Sequence, residues 1–328
     1  MIKFEGFLAD KLEQFLAYRK ETGYIHGNIR WFLSVFDNYV KTRNAGLGDM
    51  TPGFFLEFRL HVPGEPGTTN RVLLHLRNFF DYLVRIEHIA QNPLTDIPPL
   101  TENSYVPFMF SPDQLESFLQ LFRKNMNKKS EQKFLKDLAA YTVFLLMARC
   151  GLRISEPLKL RDAHFRSDER TIYIEKTKFN KDRLIPITSE VTQGLQNYIS
   201  VRKSILGRMT DPIILTTHHG PISKNLIYKR FHPAVEGIGI NHPKRIIGGI
   251  TFGHPRPHSF RHSFAVNTLK KACQKGRSPE NVLPILAAYL GHTDYRYTIK
   301  YLKVMDSEHL NQWVNFCVFK ERTLKFWD

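Results

Sequence analysis

The sequence is short of cysteine, of acidic side chains and of long hydrophobic runs. Its 328 residues include three cysteines, far apart in the chain. Their odd number and the lack of a C-x-x-C pair argue against a disulfide framework and a cysteine zinc site. No stretch reaches the roughly 18 apolar residues that a membrane-spanning helix needs, and the first ten residues lack the apolar core of a secretory signal. We therefore expect a protein of a reducing cytoplasm, without a membrane partner.

The deficit of acidic residues lies in one part of the chain. Lys and Arg total 47 against 31 Asp and Glu, a formal net charge of +16. Residues 1–98 are neutral, with 11 basic and 11 acidic side chains, whereas residues 109–328 hold 36 basic and 19 acidic side chains. A basic chain favours a polyanionic partner, with nucleic acid ahead of an anionic membrane surface. We expect the C-terminal two-thirds to supply most of this attraction.

The length and the apolar spacing predict two domains. Four apolar stripes at helical spacing within residues 1–98 predict a helical domain. Residues 99–108 contain prolines and show no periodicity, which indicates a linker. Ser111-Pro112-Asp113 is a typical helix start and begins the second domain. A strongly apolar helix is predicted over 137–149.

Two short runs in the second domain are typical of strands. Residues 171–174 and 184–187 favour β-structure, and the basic segment between them predicts a hairpin with a cationic tip. Helical patterns return at 190–205 and 226–238, and residues 239–257 are expected to be irregular because they are rich in glycine and proline. The predicted fold class is therefore mainly α with a small β-sheet, in an α+β domain over 109–328.

Four segments carry side chains suited to cleaving a phosphodiester without a metal. An arginine grips phosphate oxygens with a planar fork and keeps its proton. A lysine at a hairpin tip can protonate the leaving oxygen, and histidines can donate hydrogen bonds to phosphate or relay a proton. A tyrosine becomes a nucleophile once its phenol proton is removed, and neighbouring cations are expected to lower its pKa from about 10. The segments are Gly151 to Glu156 (GLRISE), Thr177 to Arg183 (TKFNKDR), His258 to His262 (HSFRH), and Leu290-Gly291-His292 followed by Tyr301.

In this order and at these separations, the segments resemble the catalytic domain of the tyrosine recombinases, the lambda-integrase and Xer class. Glu156 matches the family's acidic position, which orients neighbouring basic side chains. The sequence around Lys178, Pro255 and His258 further resembles certain transposon-borne integrases. The family's catalytic pattern of Arg, Lys, His-x-x-Arg, His or Trp, and Tyr falls on Arg153, Lys178, His258, Arg261, His292 and Tyr301.

The resemblance implies a fold and a reaction. Residues 1–98 would form the helical core-binding (SAM-like) DNA-binding domain, and residues 109–328 the catalytic domain with a C-terminal oligomerisation helix. The enzyme would cleave and rejoin DNA through a 3′-phosphotyrosyl intermediate and a Holliday junction, without metal, ATP or another cofactor. Its partners would be double-stranded recombination sites and a homo-tetramer on DNA, with sister recombinases in some cases, at a bacterial nucleoid.

Integration or excision of a mobile element is the expected role. Xer-type resolution of chromosomes or plasmids is the alternative role. Two other classes of protein are also considered, a type IB topoisomerase and a non-catalytic DNA-binding protein. For the residues, Tyr295 and Tyr297 compete with Tyr301, and Lys176 and Lys181 compete with Lys178.

Other basic and apolar residues have less specific expectations. His262 is expected to point to another face and to be structural. The histidines at 218, 219, 242 and 254 have no carboxylate at a ligand spacing, so no metal site is predicted. An apolar stripe over 310–318 predicts a C-terminal helix that packs on its own domain or on a neighbouring subunit. Contacts to the DNA backbone are expected from Lys181, Arg183, Lys224, Lys229, Arg230, Lys244 and Arg245.

Overall fold

The chain divides after Asn103 into two compact units. The computed structural model describes residues 2–24, 28–175, 182–207, 213–292, 298–299 and 301–302. Within these ranges, no helix combines the length and the apolar character needed to cross a membrane.

The first unit is helical around an aromatic core. Thr51 accepts a hydrogen bond from the backbone of Phe54 and so caps one helix. Phe36 is fully buried, stacks on Phe55 and meets Phe80 edge to face. The four predicted apolar stripes each fall on a helix. These helices are α1 (Ala9–Glu21), α2 (Ile29–Arg43), α3 (Pro52–His61) and α4 (Pro66–Arg85).

The second unit is also mainly helical and carries small sheets, as the fold-class prediction expected. Its helices in the described residues are α5 (Pro112–Lys124), α6 (Glu131–Cys150), α7 (Ser189–Leu206), α8 (Lys224–Gly237), α9 (Ser259–Gln274) and α10 (Pro279–Leu290). Its strands there are β1 (Ser104–Val106), β2 (Phe165–Arg166), β3 (Thr171–Ile174), β4 (Arg183–Pro186), β5 (Thr216–Thr217), β6 (Gly220–Pro221), β7 (Arg245–Ile247) and β8 (Ile250–Phe252).

Helix α6 lies at the centre of this unit. It is buried along most of its length, as expected of a helix that is apolar on all sides. Phe144 of α6 contacts Phe118 of α5, Phe231 of α8 and Phe260 of α9. Helix α6 ends at Gly151, which is left-handed with φ +60°. The core therefore fixes the start of the GLRISE segment and the start of α9 relative to each other.

The predicted hairpin is confirmed as β3 and β4, which pair antiparallel. Ile172 lies opposite Ile185, and both are fully buried, which fixes the register. Ile174 lies opposite Arg183. The hairpin tip, residues 176–181, lies outside the described residues.

The prediction of irregular structure over 239–257 was wrong in part. Strands β7 and β8 form a hairpin there, joined by Gly248 and Gly249, whose φ angles are +54° and +75°. A two-residue turn with positive φ at both positions suits the twist of a hairpin, which explains the glycine pair. Strand β1 pairs in parallel with β8. Part of the segment predicted as a linker is therefore a strand of the second unit.

Candidate active site

Three arginines gather at the C-terminal end of α10. The last carbonyl groups of a helix have no partner within the helix, and the helix dipole makes this end negative. Here guanidinium groups from three other segments supply the missing donors. The bonds run from Arg183 Nε to the Tyr289 carbonyl (2.8 Å), from Arg261 Nη2 to the Leu290 carbonyl (2.7 Å) and from Arg153 Nη2 to the Gly291 carbonyl (3.1 Å).

Two glycines permit this close approach. Gly291 ends α10 with φ +68°, and a Cβ atom there would lie 2.8 Å from Nη1 of Arg183. A Cβ atom on Gly151 would lie 2.5 Å from Cδ1 of Phe264. The Gly151 carbonyl accepts a hydrogen bond of 2.9 Å from Nη1 of Arg261. Glycine is therefore required at both motif positions, because the backbone there is left-handed and a side chain would have no space.

Glu156 is the carboxylate that binds two of these arginines, Arg153 and Arg183. It accepts two hydrogen bonds from Arg183, at 3.1 and 3.0 Å, and one from Nη1 of Arg153, at 3.1 Å. It also accepts the backbone N–H of Arg153 at 2.9 Å. Burial works to raise the pKa of Glu156, but the hydrogen bonds and charge of Arg183 outweigh it and hold the pKa below 4.5.

Arg153 and Arg261 differ in exposure. The Arg153 side chain is 23% exposed, so part of its guanidinium can reach a ligand. Arg261 is 1% exposed, and its two carbonyl bonds fix it. Burial and the nearby charge of Arg153 lower the pKa of Arg261 to about 10, so it stays charged at neutral pH. In the described part of the chain, Glu156 is the one carboxylate that forms salt bridges with Arg153 and Arg183, and Arg261 has none, which leaves a surplus of positive charge.

Tyr301 lies beside this surplus. Its side chain is 5% exposed and packs among the apolar side chains of α9 and α10. Its hydroxyl lies 3.2 Å from Nδ1 of His262. The prediction that His262 points to another face was therefore wrong. His258 and His262 are four residues apart around the start of α9, and their rings meet edge to face at 4.6 Å. That spacing was visible in the sequence and is the signal that could have identified His262.

His292 completes the group of histidines. It follows Gly291, and its ring is nearly parallel to the Tyr301 ring, at 6.4 Å between centroids. Its Nδ1 lies 2.8 Å from the hydroxyl oxygen of Thr298. The structure thus brings together five of the six predicted catalytic side chains. Lys178, the sixth, lies outside the described residues.

The pKa values follow from burial and positive charge. Burial raises the pKa of Tyr301, and Arg261 and Arg153 lower it by less, so the net change is upward. The expected net lowering by cations was therefore wrong for the free protein. Burial and neighbouring positive groups lower the pKa of His262 to about 3 and of His292 to about 4. Desolvation by surrounding side chains, with the charges of Arg261 and Arg153, also lowers the pKa of His258. All three imidazoles are neutral at neutral pH.

The residues predicted to contact the DNA backbone are in varied surroundings. Arg183 is 9% exposed and paired with Glu156, so it supports the site from within and differs from the expected surface contact. Arg230 forms an ion pair of 2.7 Å with Asp137. Lys224 and Lys229 of α8 and Arg245 of β7 are exposed, and Lys244 is partly exposed. Predictions that fall outside the described residues concern Lys176, Lys181, Tyr295, Tyr297 and the stripe over 310–318.

Curated proteins with similar sequences are recombinases. The chain is 26% identical over 305 residues to a protein of Sinorhizobium fredii designated integrase/recombinase y4rE, covering 92% of this chain and 93% of that protein. It is 27% identical over 255 residues to the tyrosine recombinase XerC of Alcanivorax borkumensis, covering 77% and 74%.

Solved structures show the same fold. The integrase of transposon Tn1549 in complex with transposon right end DNA is 18% identical, with a TM-score of 0.64, over 92% of this chain and 98% of that one. A lambda integrase dimer bound to a COC′ core site is 17% identical, with a TM-score of 0.62, over 89% and 75%. Residues 109–308, more than half of the chain, match the phage integrase family. The protein therefore belongs to the phage integrase family, the tyrosine recombinases that carry out site-specific DNA recombination.

Proposed function

We propose that the protein cleaves and rejoins DNA with Tyr301 as the nucleophile. The observation that carries this proposal is the position of the Tyr301 hydroxyl, beside His262 and next to an arginine cluster with a surplus of positive charge. A phosphodiester carries one negative charge and gains more in the transition state. A fixed positive group at that place stabilises the transition state without reorganising first.

The arginines and histidines would share the scissile phosphate. Arg153 and Arg261 would bind its non-bridging oxygens, since their guanidinium groups are held by the carbonyls of one helix end. His258 and His292 would donate further hydrogen bonds to the phosphate. Glu156 would orient Arg153 through its two hydrogen bonds. Lys178, on the β3–β4 connection, would protonate the leaving oxygen.

The bonds would change as follows. Tyr301 Oη forms a bond to phosphorus, the bond from phosphorus to the 5′ oxygen breaks, and a 3′-phosphotyrosyl link and a free 5′ hydroxyl result. The 5′ hydroxyl of a partner strand then attacks this link and releases Tyr301. Two such exchanges pass through a Holliday junction. The phosphotyrosyl bond keeps the energy of the phosphodiester, so the exchange requires no ATP, and the arginine charges take the part that a metal would otherwise play.

The proposed biological role is integration or excision of a mobile element. The likeness to the Sinorhizobium fredii integrase/recombinase over nearly the whole chain supports it. Xer-type resolution is the second candidate, favoured by the 27% identity to XerC. Both roles imply double-stranded recombination sites and assembly of several subunits on DNA. Lys224, Lys229 and Arg245 are exposed cations that would contact the DNA backbone.

The test is the capture of the covalent intermediate. DNA from the ends of the element that encodes this chain, nicked near each candidate cleavage position, is incubated with the full protein in EDTA and denatured with SDS. We expect an adduct with the wild type and with Tyr105→Phe, a change at an exposed tyrosine, and none with Tyr301→Phe. An adduct that Tyr301→Phe retains would exclude this nucleophile. Sequencing the bound DNA, with a chromosomal resolution site as a parallel substrate, separates the two biological roles.

A further inference from the structure

We propose that His262 takes the phenol proton of Tyr301 during cleavage and returns it during rejoining. This inference rests on the proposed role of Tyr301 and adds a base to it. His262 Nδ1 lies 3.2 Å from the Tyr301 hydroxyl, within the distance over which a proton is transferred. The two rings are 5.6 Å apart at a tilt of 60°.

The fold holds His262 in this position from both sides. It follows the fixed Arg261 on α9, and its ring packs edge to face against His258 at 4.6 Å. Tyr301 is held by the apolar side chains of α9 and α10, so its hydroxyl has little freedom to move away. The His292 ring lies nearly parallel to the Tyr301 ring, with centroids 6.4 Å apart, and has its Nδ1 beside the Thr298 hydroxyl. His262 Nδ1 is thus the ring nitrogen placed within hydrogen-bonding distance of the nucleophilic oxygen.

The surrounding charges explain why His262 can act only with DNA bound. In the free protein, burial and the neighbouring groups His258, Arg261 and His292 keep the imidazole neutral, so one ring nitrogen is free of a proton. A histidine this weakly basic does not remove a proton from a buried phenol. The negative charge of a bound phosphate offsets the arginines and strengthens His262 as a base. Deprotonation of Tyr301 is thereby coupled to the presence of substrate.

The proton balance is complete for both directions. On cleavage, the proton of Tyr301 Oη moves to His262 Nδ1, the bond from Oη to phosphorus forms, and the bond from phosphorus to the 5′ oxygen breaks. The 5′ oxygen receives its proton from a separate acid, proposed above to be Lys178. On rejoining, the attacking 5′ hydroxyl gives up its proton to that group, and His262 returns its proton to Tyr301.

The experiment measures the rate of adduct formation on nicked element-end DNA with the full protein. His262→Asn keeps a polar group near the position of Nδ1 but cannot take a proton, and His262→Gln is the second variant in case the first folds poorly. His218→Asn, on an exposed turn, is the matched control. General-base catalysis contributes on the order of 10²–10⁴-fold. We expect both His262 variants to be slower by about 10²-fold or more, while His218→Asn is unchanged.

Two further readouts separate a base from a structural support. The rate of His262→Asn should rise about tenfold per pH unit as hydroxide replaces the missing base, over a range where the wild type is level. A 5′-bridging phosphorothiolate, whose thiolate leaves without a proton, should not rescue the variant. A defect that is equal at every pH, or that the sulfur substrate removes, would overturn the inference.

Failure of this inference is distinct from failure of the proposed function. If the adduct depends on Tyr301 but both His262 variants match the wild type, Tyr301 remains the nucleophile and His262 is not its base. If Tyr301→Phe still forms the adduct, the proposed nucleophile and this inference are both wrong.

Discussion

Replacing Glu156 by glutamine should destabilise the second unit and disorder its arginine cluster. The carboxylate is 6% exposed and accepts four hydrogen bonds from Arg153 and Arg183. Glutamine has nearly the same shape, but its amide nitrogen would face a guanidinium donor and its negative charge is gone. Arg183, 9% exposed, would then be a buried cation whose remaining acceptor is the Tyr289 carbonyl.

The size of the effect follows from burial. Removing one partner of a buried ion pair lowers the free energy of unfolding by about 3–5 kcal/mol, because the other charge stays buried without compensation. An exposed pair is worth only about 0–1 kcal/mol. Arg166 and Glu169 form such a pair in the same unit, with side chains 51% and 55% exposed. Glu169→Gln is therefore the matched control, the same chemical change where solvent can replace the lost charge.

The assay is urea unfolding of the full chain, followed by circular dichroism, for the wild type and both variants. The pKa of Glu156 is lowered in the folded state, so its contribution is fully present above about pH 4.5 and is lost as the pH falls through the lower folded value. The difference between wild type and Glu156→Gln should therefore be constant from pH 5 to 8 and shrink in stronger acid. If Glu156→Gln lowers the free energy of unfolding by no more than Glu169→Gln does, the reasoning from burial is refuted.

Two further predictions concern the same site. Gly291→Ala should lower the free energy of unfolding by about 1–3 kcal/mol, since alanine at φ +68° is strained and its Cβ would displace Arg183. Gly276→Ala, at φ +72° with open space around it, should lower the free energy of unfolding by less in parallel melts. Equal losses for the two variants would contradict the contact between the added Cβ and Arg183. Stability should also fall as the pH drops from about 6.5 towards 4, because His262 and His292 bind protons in the unfolded chain before the folded one. The urea midpoints of unfolding at pH 7 and pH 5 check this, and the midpoint of His262→Asn should fall less between these pH values than that of the wild type. An equal fall in both proteins would contradict the lowered pKa of His262.

The helices of the first unit and the motif segments could be predicted from the sequence. Apolar periodicity located the helices of the first unit because each buries one face against the same core. The GLRISE and LGH segments could be interpreted from their order and separation along the chain, and the structure adds the reason for their glycines: Gly151 and Gly291 have a left-handed backbone with a side chain packed against them.

What the sequence could not provide depends on contacts between distant segments. The β7–β8 hairpin was missed because Gly248-Gly249 was interpreted as irregular, although strand pairing with β1 stabilises it. Arg183 was assigned to DNA because it follows a basic segment, yet Glu156, 27 residues earlier, binds it. The pKa of Tyr301 depends on a balance between burial and arginine charge, and a list of neighbouring residues does not give that balance.

The way in which the arginines are held explains how the cluster can still bind phosphate. Carboxylates could have fixed Arg153 and Arg261 as firmly as the α10 carbonyls do, but each would have cancelled one positive charge. Carbonyl groups at a helix end carry only partial negative charge, so they orient a guanidinium and leave most of its charge available. Glu156 neutralises one cation of three, and mainly through Arg183, which it binds with two hydrogen bonds. The remaining charge is concentrated on the two arginines nearest Tyr301, where a phosphodiester under attack needs it.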